Sequence, residues 1–284
     1  MIIDCHSHIS PPPELKIYQN WLIETGGREG AGDPGINDDD IRAAMNAQGE
    51  GGNPGPYSHL EGLKRAGIDV QFLSPRPNQM KHSHKPREVV QYFARACNDL
   101  IYRHTHLWPS KFIGIAGLPQ MAGEPVDQAV QELERCVTEL NFKGCMFNPD
   151  PFENSGTSSP PLWDRYWYPL YEKLSELDVP CHIHGMGPKS DREAYNHYYV
   201  DEVSTAVLAF VGSDVLDDFP KLKIVASHGG GSIPYQIGRY IAGARKHQKR
   251  ELKPKFQRIY YDTVLHDAAA VEFLIKVNIP RLRK

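Results

Sequence analysis

The sequence lacks any long run of apolar residues. Of its 284 residues, 40% are hydrophobic and 24% are charged, which is the composition of an ordinary globular protein. No apolar run approaches the roughly 18 residues of a membrane-spanning helix. No basic segment followed by an apolar stretch opens the chain, as it does in a secretory signal. We therefore predict a globular protein with no membrane span and no secretory signal.

The sequence also lacks a charge excess and paired cysteines. Its 32 Lys and Arg face 35 Asp and Glu, which gives a formal net charge of −3, whereas nucleic-acid-binding proteins usually carry a basic excess. The five cysteines are scattered and form no C-x-x-C pair, a usage typical of reduced thiols in a cytoplasm. We predict a cytoplasmic protein with no nucleic-acid partner.

Seven short apolar runs alternate with polar or helix-patterned stretches. The predicted strands are residues 1–5, 68–73, 112–118, 142–147, 179–183, 222–226 and 259–264. Apolar residues at helical spacing predict helices at 88–104, 126–140, 168–177 and 201–216. This alternation favours an α/β fold of the (β/α)8 barrel type, formed by residues 1–284 as a single domain. An open doubly wound sheet is the alternative, weakened because no G-x-G-x-x-G follows the first strand.

The segment 26–56 differs from the rest of the chain. It holds nine of the 24 glycines, and we predict a loop insertion after the first strand, interrupted by a short helix beginning near Asp40. Loops that follow barrel strands form the rim of the active site. Two interpretations stay open, a lid over the site and a mobile insertion with no role.

Histidines at strand ends are the main chemical signal among the 13 histidines. His6 and His8 close the first strand, and because alternate side chains of a strand share a face, we expect both on one face together with Asp4. Two converging imidazoles are typical of a metal site. His184 closes the fifth strand and is the predicted third ligand, whereas His182 is predicted to pack one layer deeper.

The sixth and second strands end in further candidate site residues. His228 precedes three glycines, which leave room for close backbone approach, and it is predicted to bind metal or to hold a water or an oxyanion. Ser74 and Arg76 follow the second strand, and Arg239 lies in the helix after the glycines. Since a guanidinium binds a carboxylate bidentately, these arginines indicate an anionic substrate; ordinary surface charge is the alternative.

Taken together, these residues carry a family resemblance. The His-x-His on the first strand, with histidines on the fifth and sixth, resembles the amidohydrolase superfamily of metal-dependent barrels. Within it, motifs along almost the whole chain are similar to those of the 4-oxalomesaconate hydratases. These motifs are LSPR at 73–76, KFIG at 111–114, LPQ at 118–120, NPDP at 148–151, SPPL at 159–162, WYP at 167–169 and HGGG at 228–231. The His-x-His and HGGG motifs are shared with related decarboxylases of the aminocarboxymuconate-semialdehyde type.

The resemblance implies a metal-dependent hydratase of bacterial protocatechuate and gallate catabolism. It would add water to a conjugated unsaturated keto-polycarboxylate such as 4-oxalomesaconate. One divalent ion, Zn²⁺, would be held by His6, His8 and His184. His228 is the catalytic residue that the resemblance implies, and Arg76 and Arg239 would bind the carboxylates of a di- or tricarboxylate substrate. From their places at the ends of the seventh and second strands, Asp262 is a further candidate catalytic residue and Ser74 a further candidate for substrate binding. Because dimers are common on this scaffold, a homodimer is expected.

The C-terminus departs from this family pattern. Relatives carry an eighth strand that ends in an acidic residue, whereas here a short basic tail ends the chain at Lys284. We therefore expect a barrel without its eighth strand, in which Asp262 is the nearest substitute for the missing acid. Four interpretations stay open: an impaired hydratase, a decarboxylase on the same scaffold, an amide or ester hydrolase, and a truncated paralogue without activity.

Overall fold

Parallel strands and intervening helices build the chain. The computed structural model describes residues 1–49, 55–153, 155, 158–187, 192–194 and 197–278. Its strands are β1 (Ile3–His8), β2 (Val70–Ser74), β3 (Phe112–Gly114), β4 (Ala116–Gly117), β5 (Cys145–Phe147), β6 (Pro180–Ile183), β7 (Lys223–Ala226) and β8 (Tyr260–Tyr261). Its helices are α1 (Pro13–Thr25), α2 (Asp38–Asn46), α3 (His59–Ala66), α4 (Arg87–Leu107), α5 (Asp127–Thr138), α6 (Tyr168–Leu177), α7 (His197–Gly212), α8 (Val215–Asp218), α9 (Ile233–Gly243), α10 (Lys253–Phe256) and α11 (Ala268–Asn278).

Internal contacts divide the chain into two units. The first comprises Met1–Met121 and Gln131–Cys145, and the second comprises Ala122–Val130 and Met146–Lys284. In the first unit β1, β2 and β3 pair in parallel in that order. In the second unit β6, β7 and β8 do the same. The predicted α/β class is therefore confirmed, while the single domain and the missing eighth strand stay predictions, since 279–284 lie outside the described residues.

The third predicted strand is two short strands rather than one. Through Gly114, β3 pairs with β2, and the amide of Ile115 still donates to Leu73 O at 2.8 Å. The next amide, that of Ala116, donates instead to Gly144 O at 2.9 Å. The hydrogen bonding therefore passes from one neighbour to the other at this point, which apolar character alone does not reveal.

The predicted short helix in the glycine-rich segment is α2, and it begins at Asp38, two residues earlier than expected. Asn37 caps it, since its side chain accepts from the amides of Asp39 and Asp40. Asp40 in return accepts from the amide of Asn37 at 2.8 Å. This reciprocal pair is a capping box, which fixes where a helix starts. Residues 50–54 of the segment lie outside the described part of the chain. None of the described helices combines the length and the apolar character that a membrane span requires.

A buried asparagine joins α4 to β4 in the first unit. Asn98 is fully buried, and its amide exchanges hydrogen bonds of 2.8 and 2.9 Å with the N–H and C=O of Gly117. The same amide donates to Glu132 on α5 at 2.8 Å, and Glu132 is in turn paired with Arg135 at 2.6 Å. One side chain thus satisfies polar groups on two other elements.

Asn98→Ala is expected to lower the free energy of unfolding by about 3 kcal/mol, because buried backbone and carboxylate groups lose their partner. Urea denaturation measures the change. Asn46→Ala is the matched control, since Asn46 is exposed and its amide also bonds a helix carbonyl, that of Arg42. Equal losses in the two variants would contradict the importance of the buried network.

Buried His104 on α4 makes the stability of the protein depend on pH. Burial lowers the pKa of its imidazole to about 4, and Nδ1 donates to Leu100 O at 2.8 Å. The ring is therefore neutral in the folded chain but takes up a proton in the unfolded chain below about pH 6.5. The unfolded state binds more protons in this window, so stability is lost as the pH falls from about 6.5 to 4.

We expect this loss to reach about 3 kcal/mol for His104, because the pKa of its ring is about 6.5 in the unfolded chain and about 4 in the folded one. The measurement is urea unfolding of the wild type and of His104→Leu between pH 7 and 4. The variant is expected to lose less stability over this range. His106→Leu is the control, because His106 is exposed on the same helix and makes the same kind of bond, to Tyr102 O at 2.9 Å. If the His104 variant follows the wild type at every pH, the account of His104 is wrong.

Candidate metal centre

A shift of register in β1 decides which way its histidines face. Asp4 lies opposite Gln71 of β2, whereas Ser7 lies opposite Leu73, so β1 holds one extra residue between them. Gln71 and Leu73 share a face, and so therefore do Asp4 and Ser7. His8, the residue after Ser7, points to the other face. The prediction that Asp4 shares a face with His8 is wrong, because the extra residue reverses the alternation.

The two histidines of β1 lie side by side at its end. The ring centroids of His6 and His8 are 5.3 Å apart, edge to face. Nδ1 of His8 lies 2.8 Å from Ser74 Oγ, and that hydroxyl donates to the carbonyl of Ser7 at 3.0 Å. If the hydroxyl proton goes to the carbonyl, the imidazole supplies the proton of the contact between the two side chains from Nδ1. His8 Nε2 then carries a lone pair, as a metal ligand requires.

His184 follows β6 in the second unit and is buried. Its amide donates to Phe147 O at 3.0 Å, which fixes the backbone beside the end of β5. Its ring Nδ1 lies 2.6 Å from Gly185 O. A carbonyl only accepts, so Nδ1 carries the proton and Nε2 offers its lone pair. The predicted ligand His184 therefore has the tautomer that a metal ion needs, while His182, as predicted, is buried on β6.

His228 is held by Asp262 in an unusual backbone conformation. Its φ of +51° lies in the left-handed region, which is unfavourable for a residue with a side chain. Both carboxylate oxygens of Asp262 accept from this turn, from the amides of His228 at 3.0 Å and Gly229 at 2.8 Å. The ring of His228 lies 5.0 Å from that of His184, centroid to centroid. Asp262 thus connects the end of β8 to the turn that presents His228.

The glycines after His228 are required by close packing. A Cβ on Gly231, whose φ is +63°, would lie 2.3 Å from both Ser204 Oγ and Val200 O of α7. One on Gly230 would lie 2.5 Å from the ring of Tyr261, a phenol whose pKa is raised by burial above its usual range. The predicted close backbone approach is therefore present, and the neighbour is the protein's own α7.

Tyr199 is a site residue that the sequence analysis missed. Its ring centroid lies 5.2 Å from that of His184 and 5.6 Å from that of His228. The predicted helix began at residue 201, whereas α7 begins at His197, so Tyr199 fell outside the expected element. The proximity of its ring to the two histidines is visible only in the folded chain.

The residues predicted to bind substrate occupy three different settings. Ser74 is buried, and its hydroxyl lies within hydrogen-bond distance of two backbone carbonyls and of His8 Nδ1. Arg76 is half-buried, and its Nε donates to Ile9 O at 3.2 Å, just beyond β1. Arg239 is exposed on α9. Their roles toward substrate stay predictions.

Within the second unit, His184 and His228 stand out as candidate metal ligands, since each offers one imidazole nitrogen. His184 was predicted as a ligand, and His228 was predicted to bind metal or to act in catalysis. Within the first unit, His6 and His8 are the candidate ligands from the His-x-His motif, and their role stays a prediction. An all-imidazole donor set is the chemistry that zinc accepts.

Comparison with known proteins places the chain in a family. The amidohydrolase family model matches residues 3–281. The chain belongs to the amidohydrolase family. Amidohydrolases bind a divalent metal ion, which fits the imidazoles described above. The family resemblance seen in the sequence is thereby confirmed.

The relatives of this amidohydrolase include two hydratases. It is 34% identical over 284 residues to 2-keto-4-carboxy-3-hexenedioate hydratase from Sphingobium sp., an alignment that covers 98% of this chain and 80% of the relative. The crystal structure of 4-oxalomesaconate hydratase from Rhodopseudomonas palustris matches with a TM-score of 0.82 and 33% identity, over 99% of this chain and 79% of that one. A 2-amino-3-carboxymuconate-6-semialdehyde decarboxylase from Dictyostelium discoideum is 28% identical, over 78% of this chain and 63% of the relative.

Proposed function

We propose that this amidohydrolase is a metal-dependent hydro-lyase. It adds water to the C=C bond of a conjugated keto-polycarboxylate such as 4-oxalomesaconate, in bacterial catabolism of aromatic compounds. The observation that carries the proposal is the match to two hydratases over 98% and 99% of the chain at 34% and 33% identity. The decarboxylase match is lower in identity and covers less of the chain.

His6, His8 and His184 are the proposed ligands of one Zn²⁺ ion, with His228 beside them. Two hydrogen-bond contacts support this assignment. Nδ1 of His8 contacts Ser74 Oγ, and Nδ1 of His184 contacts Gly185 O. Such a bond orients the ring and leaves Nε2 for the ion. When bound, a divalent ion lowers the pKa of water and polarises a carbonyl oxygen.

The chain's own residues supply proton transfer and orientation. His228 is the proposed proton carrier, since Asp262 fixes its backbone at two amides and an imidazole is the side chain that most often transfers protons in enzymes. Asp262 is proposed to act together with His228 in this proton transfer. Arg76 is anchored through Nε at Ile9 O, and a guanidinium fixed in this way orients a carboxylate through its paired N–H groups. Arg239 is the second proposed carboxylate ligand.

The assay that tests the activity follows 4-oxalomesaconate by its ultraviolet absorbance and measures released CO2 in the same reaction. Hydration removes the conjugated chromophore without CO2 release, which is the expected result. Stoichiometric CO2 would identify the decarboxylase instead. Absence of both changes in the metal-loaded protein would contradict an activity on this class of substrate.

We also propose that the protein works as a cytoplasmic homodimer. The near-neutral charge and scattered cysteines support this location. Light scattering coupled to size exclusion is expected to give twice the 32.1 kDa mass of one chain, and a mass of one chain at micromolar concentration would contradict the dimer.

A further inference from the structure

We propose that Ser74 is a positioning residue for the metal site, rather than a residue that binds substrate. Its hydroxyl holds His8 in the tautomer that places a lone pair on Nε2, the form that binds a divalent cation. The inference rests on the proposed function, because it gives one ligand of that metal site its orientation. It also assigns Ser74 a different role from the one that the sequence predicts.

The Ser74 hydroxyl has more hydrogen-bond neighbours than protons. Oγ lies 3.0 Å from Ser7 O, 3.2 Å from its neighbour's carbonyl, that of Pro75, and 2.8 Å from His8 Nδ1. A hydroxyl has one proton, and neither carbonyl can donate. Once that proton goes to a carbonyl, the contact with His8 is a hydrogen bond only if Nδ1 supplies the proton. The serine thereby decides which nitrogen of His8 is protonated.

The burial of Ser74 makes the alternative position of the proton costly. Ser74 is 6% exposed, so water does not readily replace a lost partner, and a buried polar group without a partner is costly. In the opposite arrangement the hydroxyl donates to Nδ1. Neither carbonyl then receives the hydroxyl proton, and the proton of His8 moves to Nε2, which no longer offers a lone pair to a metal ion. The observed set of neighbours therefore favours protonation at Nδ1.

The register between β1 and β2 places His8 beside Ser74. His8 lies directly opposite Ser74 only because β1 holds one extra residue between Asp4 and Ser7. If the register set at Asp4 continued without this shift, Ser7 would lie opposite Ser74, and His8 would extend past the end of β2. The same irregularity that turns Asp4 away from His8 thus brings His8 to its serine.

The affinity of the metal-free protein for Zn²⁺ tests the role of Ser74. It is measured by competition with a chromophoric chelator, in the wild type and in Ser74→Ala. The variant is expected to bind Zn²⁺ about 10 to 100 times more weakly, the usual effect of removing a hydrogen-bond partner of a metal-binding histidine. This readout needs no substrate and no catalytic turnover.

Ser10→Ala is the matched control. Ser10 is also buried in the first unit, and its hydroxyl also contacts a histidine Nδ1, that of His59, at 3.0 Å. His59 bonds Gln71 through its other nitrogen at 2.6 Å and is not a proposed ligand. Ser10→Ala should therefore leave the Zn²⁺ affinity unchanged. Equal affinities of Ser74→Ala and the wild type would overturn the inference, whereas a wild type that fails to bind Zn²⁺ would overturn the proposed function.

A spectroscopic measurement on the wild type keeps the inference testable if Ser74→Ala does not fold. Nitrogen-15 NMR of the metal-free protein near pH 8 distinguishes the two imidazole tautomers. The signals of His8 are identified by their absence in His8→Gln. A proton on Nδ1 of His8 is the expected result, and a proton on Nε2 would overturn the inference.

Discussion

His184→Ala is expected to abolish metal retention and the proposed hydration activity. The imidazole is buried, and its Nδ1 is fixed on Gly185 O, so the variant loses a nitrogen donor whose orientation is already set. Loss of a hydrogen-bond partner of a ligand already weakens binding by about 10 to 100 times, and loss of the ligand itself removes more. Metal analysis after gel filtration, together with the activity, measures the effect.

His182→Gln is the matched control for this variant. His182 lies two residues earlier on the same strand and is equally buried, yet it is predicted to pack rather than to bind metal. The control should keep its metal. If it loses metal while His184→Ala retains it, the ligand has been assigned to the wrong histidine of β6.

Asp262→Ala has the second large effect, and it acts through His228. The carboxylate accepts from the amides of His228, Gly229 and Val264, and these bonds hold His228 at positive φ. Their loss should lower the free energy of unfolding by about 3 kcal/mol and reduce kcat/KM by about 100-fold, since a misplaced proton carrier is costly. Bound metal should remain near the wild-type level.

Asp262→Asn separates a positioning role from a direct catalytic one. The amide keeps one acceptor oxygen for the turn but cannot take up a proton as a carboxylate does. A variant that regains much of the activity and stability lost in Asp262→Ala indicates positioning. Complete loss of activity with normal stability would instead identify Asp262 as an acid or base in the reaction.

Strands and strongly periodic helices were predicted well from the sequence. The apolar stripe of α4 and that of α6 repeat at helical spacing, and both helices were expected close to their observed bounds. Helix α1 was missed because its apolar stripe is narrow. The signal was nevertheless there, since Pro13 at the first position and Gly26 after the last are typical of helix ends.

The residues of the candidate site were predicted from the sequence, but the contacts that position them were not. Histidines at strand ends can be read from the sequence because strand ends carry the active-site residues of this fold. The register shift in β1 leaves no mark on hydropathy, so the orientation of Asp4 and the contact of Ser74 with His8 could not be predicted. Tyr199 approaches His184 only through the packing of α7, a tertiary effect.

Removing the metal of the wild-type protein and restoring it tests whether the proposed hydration depends on a bound divalent ion. We expect about one divalent ion per chain, as in a mononuclear histidine site. Hydration of 4-oxalomesaconate should be lost on chelation and recovered when Zn²⁺ is returned. Full hydration activity in protein shown by elemental analysis to hold no metal would contradict the account.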